Sequence, residues 1–163
     1  MDPELSRKVA VDRLPREGME VVVEANPAEC IALAGRMHLP AVHALWCRFL
    51  LTPQEGGAVQ AEGWLRARAI RECVVSLEPF EEETEEKFRL RFVPAGTESE
   101  VEDPESDDEL GYQEGVIDLG EAAAEQFALA LDPWPRKPGA ELPAAAGDEG
   151  GPFAALARLK APH

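Results

Sequence analysis

Two short runs carry the side chains best suited to chemistry. In Trp64-Leu65-Arg66-Ala67-Arg68-Ala69, Trp64, Arg66 and Arg68 alternate with apolar residues. In Lys87-Phe88-Arg89-Leu90-Arg91-Phe92, the cations Lys87, Arg89 and Arg91 do the same. On extended strands this period of two sends each cationic set to one face, and Phe88, Leu90 and Phe92 to the other. If the two strands are neighbours they build a basic stripe beside an aromatic ring, the residue set that holds RNA phosphates and stacks bases. The same residues also suit a solvated face whose cations pair with the acids at 81–86. On the residues alone that second reading is the default, since surfaces ordinarily mix both charges.

Catalytic chemistry has less to stand on. Neither GxGxxG nor GxxxxGK[ST] occurs, so no glycine loop is set to cradle a phosphate. His38 falls at a predicted helix end, His43 at a predicted strand start and His163 at the last position, with no nucleophile spaced to use them. Cys30, Cys47 and Cys73 lie on apolar stripes, where cysteine behaves as a small hydrophobe. Cys30, His38, His43 and Cys47 add up to four zinc ligands, but their spacing matches no finger, knuckle or ribbon. The sequence therefore predicts no catalytic set, no metal and no cofactor.

The elements that must position the stripe come from hydrophobic period and punctuation. Alternation over 7–14, a β-branched run at 19–24, and runs at 42–52, 58–75 and 84–93 read as strands. Gly56-Gly57 marks a hairpin turn. Asn26-Pro27-Ala28-Glu29 opens a helix with a capping box and the stripe Cys30, Leu33, Ala34, Met37. A second helix opens at Asp118, with Glu121 at the reciprocal position, and carries Leu119, Ala123, Phe127 and Leu131. The fold class is α+β: a largely antiparallel sheet, whether or not it closes into a barrel, with two main helices and a short C-terminal helix.

The 163 residues carry 32 acids and 16 bases, a net charge of −16, with 45% apolar residues. A chain of this size buries about 70% of its unfolded surface as one domain. Its excess charge is local: residues 78–114 hold 15 acids and 3 bases. Within them, 96–115 has nine carboxylates, no cation and few apolar groups, the composition of a disordered acidic loop. Residues 1–137 are thus read as one domain interrupted by that loop, 138–151 as an Ala/Gly/Pro-rich linker, and 152–163 as an amphipathic helix. No run nears the ~18–20 apolar residues of a membrane span. The charged start MDPELSRK lacks a signal peptide's apolar core. Both, with three scattered cysteines, point to a cytoplasmic protein without a membrane partner.

Several blocks together resemble one family. Arg71-Glu72-Cys73-Val74-Val75-Ser76-Leu77-Glu78-Pro79-Phe80 is similar to the central motif of the YceD-like proteins, the large ribosomal RNA subunit accumulation proteins. Val116-Ile117-Asp118-Leu119-Gly120-Glu121, with Leu129-Ala130-Leu131-Asp132-Pro133, resembles their second block. Pro152-Phe153-Ala154-Ala155-Leu156-Ala157-Arg158-Leu159-Lys160 resembles their C-terminal signature, with Pro152, Phe153, Leu156, Leu159 and Lys160 as motif positions. The variant at 73–80 and 132–142 looks like the alphaproteobacterial branch. The resemblance implies a non-enzymatic role in accumulation of large-subunit 23S ribosomal RNA, with that RNA or its precursor ribonucleoprotein as partner. A basic ribosomal protein, held by the acidic stretch, is the alternative partner. Many relatives carry a CxxC in the central motif and further cysteines after the second helix. Here Cys73 is followed by Ser76 and residues 132–142 hold no cysteine, so no structural zinc is expected and packing around Cys73 must replace it.

Overall fold

A computed structural model of the chain describes residues 4–97 and 107–137. The β-branched run becomes β2 (Met19–Glu24), which pairs antiparallel with β3 (Ala41–Pro53). β3 turns through Gly56 and Gly57, both at positive φ (+73° and +80°), into β4 (Val59–Glu72). Glycine reaches that left-handed region without a Cβ clash, which is what the tight reversal requires. β4 pairs antiparallel with β5 (Pro79–Pro94), and β6 (Asp108–Tyr112) adds to β5 in parallel. The sheet order is β2-β3-β4-β5-β6, and β1 (Lys8–Ala10) pairs with β7 (Val116–Asp118) in a separate ribbon.

One face of the sheet is covered by helices α1 (Pro27–Met37) and α2 (Leu119–Ala130). The α1 capping box is complete: Glu29 N–H donates to Asn26 Oδ1 (2.8 Å), and Asn26 N–H donates to Glu29 Oε1 (2.9 Å). Leu33 of α1 and Ala123 and Phe127 of α2 are fully buried with Val23, Leu45, Phe49, Leu65 and Leu90 of the sheet. The opposite face is wet, so alternation along β4 and β5 reads apolar inward and charged outward. Among the described residues no helix is long and apolar enough to cross a membrane.

The α+β class stands, with corrections. The sheet does not close into a barrel: β2 and β6 remain edges, and the face that would line a barrel is filled by α1 and α2. The sheet is mixed, because β6 is parallel to β5. The run at 7–14 is a strand only over Lys8–Ala10 and then a 3₁₀ turn at Val11–Arg13. β5 begins at Pro79, five residues before the expected 84. At α2, Asp118 caps as expected, accepting from Gly120 N–H (3.0 Å) and Glu121 N–H (3.2 Å). Glu121 does not reach back; it binds Arg36 of α1 through two bonds, at 2.8 and 3.1 Å.

The largest difference lies in the acidic stretch. Residues 107–115, expected to be without structure, contain β6. Composition missed it because the compensating groups are on another strand. Leu110 and Tyr112 pack against the core, and Arg91 and Arg89 of β5 pair with Glu109 and Asp107. Residues 98–106 lie outside the described residues. So do the expected linker at 138–151 and helix at 152–163, including Pro152, Phe153, Leu156, Leu159 and Lys160.

Candidate nucleic-acid interface

The β4–β5 register makes the two cationic runs neighbours on the wet face. Trp64 stands opposite Lys87, Glu62 opposite Arg89 and Gln60 opposite Arg91, whereas Arg66 and Arg68 stand opposite Glu85 and Glu83. The stripe is therefore not uniform. Arg66 Nε lies 3.1 Å from Glu85, Arg68 Nη1 3.9 Å from Glu81, Arg89 Nε 3.6 Å from Asp107 and Arg91 Nη1 2.7 Å from Glu109. Such solvated pairs contribute about 0–1 kcal/mol each, but they neutralise the local field. Four of the five expected cations are thus matched by the chain's own acids.

Lys87 is different. It has no carboxylate partner among the described residues; its Nζ lies 5.9 Å from the centre of the Trp64 ring. From the other side β3 supplies a residue the sequence reading missed: Arg48, opposite Trp64, with its guanidinium 5.1 Å from the same ring. Arg48 likewise has no carboxylate partner among the described residues. Arg48, Trp64 and Lys87 form one row across three strands, each cation within cation–π reach of the ring. Trp46, also missed, meets Trp64 edge to face (centroids 6.2 Å apart, 81° between planes). The signal was present as Trp46, Arg48 and Leu50 at alternate positions, but it sits in a run dominated by apolar residues. Beside the row an open groove of about 740 Å³ brings the acids Glu20 and Glu62 beside Arg48, Trp64, Lys87 and Arg89.

The row rests on a close backbone approach. Gly63 neighbours Trp64 and points inward, where Phe88 lies across it and meets Phe49 edge to face at 5.7 Å. A Cβ at Gly63 would sit 2.1 Å from the Phe88 ring.

The family-motif positions gather elsewhere, at the β4–β5 turn. Cys73 N–H donates to Glu78 O and Leu77 N–H to Cys73 O, both at 2.9 Å, with Leu77 at φ +62°. The N–H groups of Val75 and Ser76 point at Cys73 Sγ, each at 3.4 Å. The Ser76 hydroxyl, then the backbone N–H groups of Lys137 and Ser76, pull the Cys73 thiol down to about 6. Cys73 is sealed by the turn that wraps it, yet lies at the edge of the molecule. Val74 N–H reaches Pro135 O (2.9 Å), and Lys137 pairs with Glu78 (2.8 Å), so the turn is stitched to the segment following α2. The packing expected around Cys73 is thus a hydrogen-bonded one. Pro79 starts β5, Phe80 is buried opposite Arg71, and Leu119 is fully buried beneath the Asp118 cap.

The four-residue zinc arrangement does not assemble. Cys30 and Cys47 are buried while His38 and His43 are exposed. Burial raises both thiols, that of Cys47 to about 12. No group of three or more metal-ligating side chains gathers among the described residues.

Fold and site together define a two-layer α+β domain with an open, tryptophan-bearing sheet face. The family model described as large ribosomal RNA subunit accumulation protein YceD matches residues 61–160, from within β4 to beyond α2. The chain belongs to the YceD family. No curated protein and no solved structure matches it.

Proposed function

We propose that this chain is a non-enzymatic ribosome-biogenesis factor that promotes accumulation of large-subunit ribosomal RNA, through its processing, stability or assembly. It acts by holding the precursor RNA, or a ribonucleoprotein containing it, on the wet sheet face. The description of the matching family, large ribosomal RNA subunit accumulation protein, supports that target. The observation that carries the binding face is the Arg48–Trp64–Lys87 row, where two cations without acid partners among the described residues flank an aromatic ring. RNA recognition requires that combination of stacking surface and phosphate-binding charge. The test is binding of purified protein to transcribed large-subunit RNA and to small-subunit RNA of equal length, at one stated salt. Preference for the large-subunit species, weakened by Trp64→Ala, is expected. Equal binding of both, or binding indifferent to Trp64, contradicts the face.

The chain's net charge of −16 favours a second reading, an acidic holder of a basic ribosomal protein that does not touch RNA. Opposite charges would speed that encounter. Deleting 97–114 would remove β6, so the discriminating change is neutralisation of Glu98, Glu100, Glu102, Asp103 and Glu105 to their amides. Loss of ribosomal-protein capture with RNA binding retained would favour the holder.

A further inference from the structure

We infer that the Arg48–Trp64–Lys87 row takes an unpaired stretch of RNA, one base on the Trp64 ring with Arg48 and Lys87 on the flanking phosphates, and not a duplex. The inference rests on the RNA-binding reading above and names its ligand. Three features of the face support it.

The first is charge. Of the six basic side chains on this face, Arg66, Arg68, Arg89 and Arg91 are held in ion pairs with Glu85, Glu81, Asp107 and Glu109. A duplex lays two phosphate strands across a wide surface and would meet those acids as well as the cations. A single strand crossing the row can lie along the two cations that have no acid partner among the described residues, Arg48 and Lys87, with Glu20 and Glu62 to one side in the groove. The second is reach. Arg48 and Lys87 stand on strands two spacings apart, roughly 9–10 Å. Their long side chains now lie against the ring, and both can swing outward to phosphates as a base takes their place. The third is the surface itself. Trp64 is half-buried, in perpendicular ring contact with Trp46, and borders a groove whose lining includes exposed Leu50. A flat aromatic ring at the surface serves an unstacked base, which a duplex does not present.

The experiment uses the full-length protein with two probes: a fluorescein-labelled single-stranded hexa-adenylate RNA, and a labelled RNA duplex of twelve base pairs. Affinity is measured by anisotropy from about 50 to 200 mM salt. Two neutralised phosphates on a single strand give a slope of log K against log salt of about −1.4, whereas a duplex using all six cations would give about −5. The expected result is single-strand binding with the shallow slope, duplex binding at least about tenfold weaker, and a loss of about tenfold or more with Trp64→Ala. Trp64→Phe, which keeps a stacking ring, is expected to retain most of the affinity and guards against misfolding. Equal or tighter duplex binding with the steep slope overturns the single-strand assignment and leaves the RNA reading intact. Single-strand binding indifferent to Trp64→Ala overturns the site. If neither probe nor a transcribed large-subunit fragment binds, the RNA reading itself falls. Capture of a basic ribosomal protein lost on Trp64→Ala would then make the row a protein-docking surface.

Discussion

Across the β4–β5 ladder, Arg66 and Arg68 look at Glu85 and Glu83, whereas one rung further along Trp64 looks at Lys87. The rungs on either side are electrostatically closed, Arg66 and Arg68 by Glu85 and Glu81 and Arg89 and Arg91 by Asp107 and Glu109, while the Trp64 rung between them carries cations with no acid partner among the described residues. The acids at 81–86 run up to the rung that Trp64 occupies and stop there, and on the far side β3 contributes Arg48, not a carboxylate. A cation on a sheet face is available only if its cross-strand neighbour is not an acid. Counting basic residues along one strand therefore overstates a nucleic-acid surface, and register decides which of them count.

The inner and outer faces of β4 sharpen the contrast most strongly. Arg71 faces inward, is 6% exposed, pairs with Glu82 at 2.9 Å and donates to the Asp132 carbonyl. Arg71→Ala strands Glu82 and that carbonyl and should cost about 3 kcal/mol in urea unfolding. Arg68→Ala, on the wet face, should stay within about 0.5 kcal/mol. Equal costs would mean that the two faces are not distinguished by burial.

Gly63→Val comes next, at about 2 kcal/mol, because a side chain must displace the Phe88 ring beneath the Trp64 row. It should also weaken RNA binding, while Arg66→Ala leaves affinity within about twofold. Retained stability in the valine variant, by thermal unfolding, would remove Gly63 as the row's support.

A smaller effect separates the β1–β7 ribbon from the exposed pairs. Burial works to raise the Asp118 pKa. The Ser6 hydroxyl and the N–H groups of Arg7, Glu121 and Gly120 together outweigh it and hold the carboxyl below its usual value. A carboxyl depressed in the folded state contributes stability above its unfolded pKa of about 3.9, and that stability is lost as pH falls through the lower folded value. Acid titration of the parent should show this loss, and Asp118→Asn should flatten it. An unchanged acid profile would show that the cap does not carry it. Smallest of all is the Cys73 turn, where Ser76→Ala should move the thiol up from about 6, read by thiolate absorbance.

What the sequence displayed follows from where each signal resides. The α1 cap, the Gly56-Gly57 turn and the alternation of β4 and β5 are local, and all were legible. β6 was not, because Glu109 and Asp107 are stabilised by cations eighteen residues earlier, on β5. The open edges were hidden for a related reason, since which elements cover a sheet face depends on tertiary packing. At the site, Trp64 and Lys87 were visible from period alone. Arg48 and Trp46 were not, because their place beside Trp64 is set by the β3–β4 register.

The most direct measurement replaces the chromosomal gene in its host with the Arg48→Ala/Trp64→Ala/Lys87→Ala variant and compares large- to small-subunit ribosomal RNA with parent and deletion strains. Circular dichroism and protein level serve as folding controls. If the row is the functional face, the ratio falls to that of the deletion strain while the variant stays folded and abundant. A ratio equal to the parent's, in a host where deletion lowers it, would contradict that role for the Arg48–Trp64–Lys87 row.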